Sequence, residues 1–130
     1  MSMNDPLANL MSNLNNAEKR YRKTLEVKPS SKLIMQVLQL LQDNHYIGEF
    51  KMIESNRGNY VQVNLINKIN SCGVIKPRFA VAKDDFERFE KRFLLAKGFG
   101  VLIVSTTKGV ITHEQAKEQG VGGRLLAYCY

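Results

Sequence analysis

Three hydroxyls, a lysine and a glycine stand in an unbroken row at Ser105-Thr106-Thr107-Lys108-Gly109, directly after the apolar run Val101-Leu102-Ile103-Val104. A tip of this kind offers donors and acceptors to phosphate, to ribose 2′-hydroxyls and to base edges. Lys108 supplies positive charge, and Gly109 frees the backbone for close approach. Thr112 and Gln115 have the spacing of a capping box that opens a short helix, which Gly120 ends. The start of that helix adds partial positive charge near the hydroxyls. Gly122-Gly123 then allows a second tight turn, followed by Arg124 in a terminal strand. Because one short helix joins the two turns, they are expected to lie side by side.

Catalytic chemistry fits the same residues poorly. No glycine precedes a Lys-Ser or Lys-Thr pair, so there is no Walker A loop. Gly98-Phe99-Gly100 lacks a third glycine and precedes a strand, whereas a dinucleotide fingerprint follows one. Ser105 sits in no G-x-S-x-G elbow. His45, His113 and two distant cysteines give no metal-ligand spacing. No catalytic residue, metal or cofactor is therefore expected. Ser105 with His113, as nucleophile and base of a phosphate-ester enzyme, is the remaining enzymatic alternative. His113 otherwise reads as a polar residue at a helix start.

Strands and helices must hold that tip in place. Asp5-Pro6 is an N-cap followed by proline, and Leu7, Leu10, Met11, Leu14, Ala17 and Tyr21 form one helical stripe. The opposite face carries Asn9, Asn13 and Asn16, poor helix formers that either hydrogen-bond a partner or simply face water. Residues 24–28 fit a strand. Ser30 or Ser31 caps a second helix with a core stripe of Leu33, Ile34, Val37, Leu38 and Leu41. Residues 46–54 and 60–66 read as strands joined by the turn-rich 55–59. This first lobe, residues 1–69, is α-β-α-β-β.

The second lobe, residues 70–130, is expected to be mostly β with short helices, giving a mixed α+β fold overall. Residues 74–81 look strand-like, with Pro77 confining them to an edge or a bend. Asp84-Asp85 is placed to cap a helix bearing Phe86, Phe89 and Phe93 on its core side. Arg88, Lys91 and Arg92 lie on the other side. Val101–Val104 is apolar on both faces and reads as a central strand. Residues 105–109 read as a loop.

Charge narrows the partner. Nineteen Lys and Arg against 12 Asp and Glu leave +7 over 130 residues, spread across both halves without a basic tail. A folded basic chain of this size suggests a polyanion; a basic protein-interaction module for acidic partners is the alternative. No apolar run approaches a membrane span, and no secretory signal opens the chain. Cys72 and Cys129 are therefore expected to be reduced intracellular thiols.

Taken together, these motifs resemble the small-subunit ribosomal protein eight family. The resemblance is carried by Ser105-Thr106-Thr107-Lys108-Gly109, then Glu114-Gln115-Ala116, then Gly122-Gly123 before an aromatic-ended terminus. Asp5-Pro6-Leu7-Ala8, Ser31-Lys32-Leu33 and Tyr46-Ile47-Gly48-Glu49-Phe50 extend it over the whole chain. Residues 72–79 and 125–130 look like the archaeal and eukaryotic branch.

That resemblance implies a structural, non-enzymatic constituent of the small subunit in the cytoplasm. It implies direct binding to the central domain of small-subunit ribosomal RNA, early in assembly, beside neighbouring ribosomal proteins, by a protein that is a monomer when free. By position, Ser105, Thr106, Thr107 and Lys108 would enter the minor groove of an irregular RNA helix. Gly109, Gly122, Gly123 and Arg124 would lie alongside, and Asn4, Asp5, Ser31 and Lys32 would touch backbone. Arg124 stands where bacterial members often carry an acid.

Overall fold

A computed structural model describes residues 6–28, 32–76, 78–94 and 100–130. The chain divides into two compact units, Met1–Asn70 and Ser71–Tyr130.

The first unit runs α1 (Pro6–Lys19), β1 (Thr24–Val27), α2 (Lys32–Asp43), β2 (Ile47–Ile53) and β3 (Tyr60–Leu65). The strands form an antiparallel sheet in the order β1-β3-β2. Leu7, Leu10, Met11, Leu14 and Ala17 of α1 are buried, as are Ile34, Val37, Leu38, Leu40 and Leu41 of α2. Both stripes follow the 3.6-residue period, and burying each large side chain contributes about 1.5–3 kcal/mol. Val61, Val63 and Leu65 alternate toward the interior.

Tyr21 departs from its expected place on the α1 stripe. The helix ends at Lys19, and Tyr21 is 80% exposed with φ +55°. Its N–H donates to Glu18 and that of Arg22 to Ala17, a Schellman closure that throws the ring outward. His45 closes α2 in the same way, with φ +65° and the Tyr46 N–H on Leu41. The expected caps Asp5, Ser30 and Ser31 lie outside the described residues.

The second unit runs β4 (Cys72–Val74), β5 (Ala80–Val81), α3 (Phe86–Phe93), β6 (Val101–Thr106), β7 (Gly109–Thr112), α4 (His113–Gln119) and β8 (Gly123–Cys129). Its antiparallel sheet has the order β4-β8-β6-β7, with β5 also pairing β8. Of the strand-like stretch expected over residues 74–81, with an edge or a bend at Pro77, only Val74, which ends β4, and β5 are strand; Pro77 itself lies outside the described residues. A further difference is β7: Gly109, expected at the end of the loop, instead begins a strand that runs to Thr112.

Val101, Leu102, Ile103 and Val104 are all buried, because β6 lies between β7 and β8. Leu102, Val104 and Leu125 join Phe86 and Phe89 of α3 and Ala116 of α4 in one apolar cluster. Phe93 is only half-buried, stacked on Tyr128 at 6.1 Å. Asp85 makes no side-chain cap for α3. Its carboxylate instead accepts from Arg88 at 3.2 Å, an exposed pair of little energetic weight. Among the described residues, no helix is long and apolar enough to cross a membrane.

Candidate nucleic-acid interface

Ser105 and Thr106 belong to strand β6, so the expected five-residue loop contracts to a tip of Thr107 and Lys108. Across this hairpin Ser105 pairs with Val110 and Thr106 with Gly109. The Thr106 hydroxyl donates to the Gly109 carbonyl at 2.9 Å and accepts the Lys108 N–H at 3.0 Å. One side chain thus braces the whole turn. Gly109 has φ +111° with open space where a Cβ would stand. Backbone conformation, not crowding, requires glycine there.

On its other side β6 meets β8, with Ser105 opposite Arg124, while Ala80 of β5 flanks Arg124. Ala80, Arg124, Ser105 and Val110 therefore form one row across four strands. Glycine at 123 makes this approach feasible: a Cβ there would lie 2.3 Å from the Ser105 carbonyl oxygen and 2.9 Å from Thr106 Cγ2. At Gly122 a Cβ would lie 2.4 Å from the Val81 carbonyl oxygen. Gly122 and Gly123 are thus required by close packing of β8 on its neighbours, not by a turn of their own.

Ser105, Thr107, Lys108 and Arg124 are exposed, while Thr106, Gly109, Gly122 and Gly123 are half-buried. Among the described residues the Ser105 and Thr107 hydroxyls make no hydrogen bond, whereas that of Thr106 is committed to the turn. The displayed chemistry is accordingly two hydroxyls and two cations on a strand end that the sheet holds stiff.

Behind the hairpin, α4 is fastened twice. The capping box is complete: Thr112 Oγ1 accepts the Gln115 N–H at 3.2 Å, and Gln115 Oε1 accepts the Thr112 N–H at 3.0 Å. With that N–H already engaged and Glu114 in the first turn, the start of this short helix acts as a brace more than as a source of positive charge.

The second fastening is internal. His113 is 1% exposed, its Nδ1 accepts the Leu102 N–H at 3.0 Å, and its Nε2 lies 3.3 Å from Glu90 Oε1. Lys117 pairs with the same carboxylate oxygen. Burial pushes the His113 pKa down, Glu90 opposes that shift and Lys117 reinforces it. Because Nδ1 accepts the Leu102 N–H, the neutral ring carries its proton on Nε2. Far from being an indifferent residue at a helix start, His113 ties α3, β6 and α4 together. Both ring nitrogens are occupied inside the protein, which removes it as a base for Ser105.

Sequence reasoning missed this clasp, although a signal existed. Glu90 falls on the same helical stripe as Phe86 and Phe93, where a charge requires a buried partner. Lys32, the first residue of α2, is exposed in the first unit. Asn4, Asp5 and Ser31 lie outside the described residues.

The fold and this site define a mixed α+β protein that presents a stiff, hydroxyl-bearing, basic hairpin. The family model described as Ribosomal protein S8 matches residues 5–130, and the chain belongs to that family. It is a small-subunit ribosomal protein that binds ribosomal RNA.

Proposed function

We propose that the protein binds the central domain of small-subunit ribosomal RNA directly and supports its assembly, holding RNA without transforming it. The observation that carries this reading is the exposed set Ser105, Thr107, Lys108 and Arg124 at one strand end. An RNA helix hides its base edges in a deep groove, so a protein reads its shape, 2′-hydroxyls and phosphates. Short hydroxyl side chains suit that task, because they lose less entropy on ordering than long ones. Ser105 and Thr107 would exchange hydrogen bonds with 2′-hydroxyls or base edges in the shallow minor groove. Lys108 and Arg124 would neutralise phosphates, while Thr106, Gly109, Gly122 and Gly123 fix the shape of the edge.

In the first unit, Asn4, Asp5, Ser31 and Lys32 would touch RNA backbone, as the family resemblance implies. Free protein would be monomeric and would join neighbouring proteins of the cytoplasmic small subunit. The test is filter binding to a central-domain RNA fragment. Ser105→Ala and Thr107→Val should each weaken binding by about 1–3 kcal/mol while leaving the unfolding midpoint unchanged. Unaltered affinity in both variants would remove this edge from the interface. Retention of an acidic protein after ribonuclease treatment, with no bound RNA, would favour a protein-interaction module instead.

A further inference from the structure

We propose that Cys72 and Cys129 form an oxidation site, a thiol pair set to close into a cross-strand disulfide that joins the two ends of the second unit. Far apart in sequence, they are direct partners in the β4–β8 ladder. The neighbouring pair, Ser71 and Tyr130, exchanges both backbone hydrogen bonds, at 3.0 and 2.9 Å. Alternation then makes Cys72–Cys129 a non-hydrogen-bonded pair, the kind whose Cα atoms approach to about 4.5 Å. Disulfides span Cα separations of about 4.4–6.8 Å, so this pair falls inside the permitted range without a change of register. Antiparallel partners project from the same face of a sheet, and both side chains are buried, at 4% and 0% exposure. Neither is in a disulfide in this structure.

Topology sets the order of events. β4 is a three-residue strand at the sheet edge, hydrogen-bonded only to β8, whereas β8 is held by β4, β5 and β6. Local opening therefore exposes Cys72 first. With a small-molecule disulfide as oxidant, the Cys72 thiolate attacks one sulfur, forming a mixed disulfide and releasing one thiolate. As β4 re-pairs, the Cys129 thiolate attacks the Cys72 sulfur and expels the second. The two cysteine protons end on the released thiols, so one small disulfide is reduced as one protein disulfide forms. Cys72 and Cys129 each stand one residue in from an end of the unit. A single bond thus converts the unit into a covalent ring and restricts its unfolded chain.

The full-length protein is incubated with oxidised glutathione, both in buffer and in urea below the unfolding transition. The expected result is loss of both titratable thiols and a non-reducing peptide map linking Cys72 to Cys129 within one chain. The melting temperature should rise by roughly 5–10 °C, reversibly with a reductant. Cys129→Ser should stop at glutathione on Cys72. Thiols that stay reduced in both conditions, a link only between molecules, or a melting temperature lowered by oxidation would each overturn the proposal. None of these readouts involves RNA, so they are independent of the reading of the hairpin.

Discussion

The two units carry the same turn in different surroundings. In the first, Ser55-Asn56-Arg57-Gly58 links β2 to β3; in the second, Thr106-Thr107-Lys108-Gly109 links β6 to β7. In both, the leading hydroxyl donates to the glycine carbonyl, at 2.6 Å from Ser55 and 2.9 Å from Thr106. Both hydroxyls also accept the N–H of the basic residue, at 3.3 and 3.0 Å. Gly58 and Gly109 have nearly equal φ, +113° and +111°. The turn is therefore a general way to stiffen a hairpin and does not make a binding site by itself. What singles out the second hairpin is its setting: Gly123 and Arg124 beside it, and the Glu90–His113–Lys117 clasp behind it.

The sharpest way to break this comparison is to cut the clasp. His113→Ala removes the acceptor of the Leu102 N–H and leaves the Glu90 carboxylate buried with Lys117 alone. Urea unfolding should show a loss of about 3 kcal/mol, with hydrogen exchange at Leu102 accelerated. A loss under 1 kcal/mol would show that the clasp is incidental. Acid supplies a second probe of the same group. The folded pKa of His113 lies below its ordinary 6.5, so below that pH the unfolded chain binds a proton the folded chain refuses. Its stabilisation is full above about pH 6.5 and declines as pH falls from there toward the depressed folded value. The wild-type protein should lose stability over that window faster than His113→Ala, which has no imidazole to protonate. Parallel pH curves for the two would refute the assignment.

Smaller effects are expected at the turns themselves. Ser55→Ala and Thr106→Val each remove one brace and should cost about 1 kcal/mol of stability. Only Thr106→Val should also weaken RNA binding, because it loosens the strand end that presents Ser105. Equal loss of affinity in both variants would erase the distinction between the hairpins.

How far the sequence anticipated this structure follows from which interactions are local. Element order in the first unit, the helical stripes, the Thr112–Gln115 box and the interior position of Val101–Val104 all rest on periods and spacings within a few residues. β7 escaped notice because its four residues announce themselves only once the turn before them is recognised. For the same reason Ser105 and Thr106 look like loop in the sequence. The Cys72–Cys129 register and the meeting of Glu90 with His113 depend on strands and helices brought together from distant sequence, which no local pattern encodes. Tyr21 illustrates a competing interaction: closure of the helix backbone overrode the continuation of an apolar stripe.

The finest division between the hairpins concerns Arg57 and Lys108, equivalent residues of like charge. Both are exposed, and among the described residues neither forms an ion pair, so composition and turn geometry treat them alike. Neutralising a phosphate releases a counterion, and each such contact steepens the fall of log affinity with log salt by roughly 0.7–0.9. Lys108→Ala should therefore flatten that slope by about one charge equivalent, whereas Arg57→Ala should leave it unchanged to within error. Titrating RNA binding over a range of salt concentrations separates the cases. A flattened slope for Arg57→Ala would mean that the turn, wherever it occurs, is sufficient for contact. An unchanged slope for Lys108→Ala would shift the electrostatic role to Arg124, which the β6–β8 register holds beside Ser105.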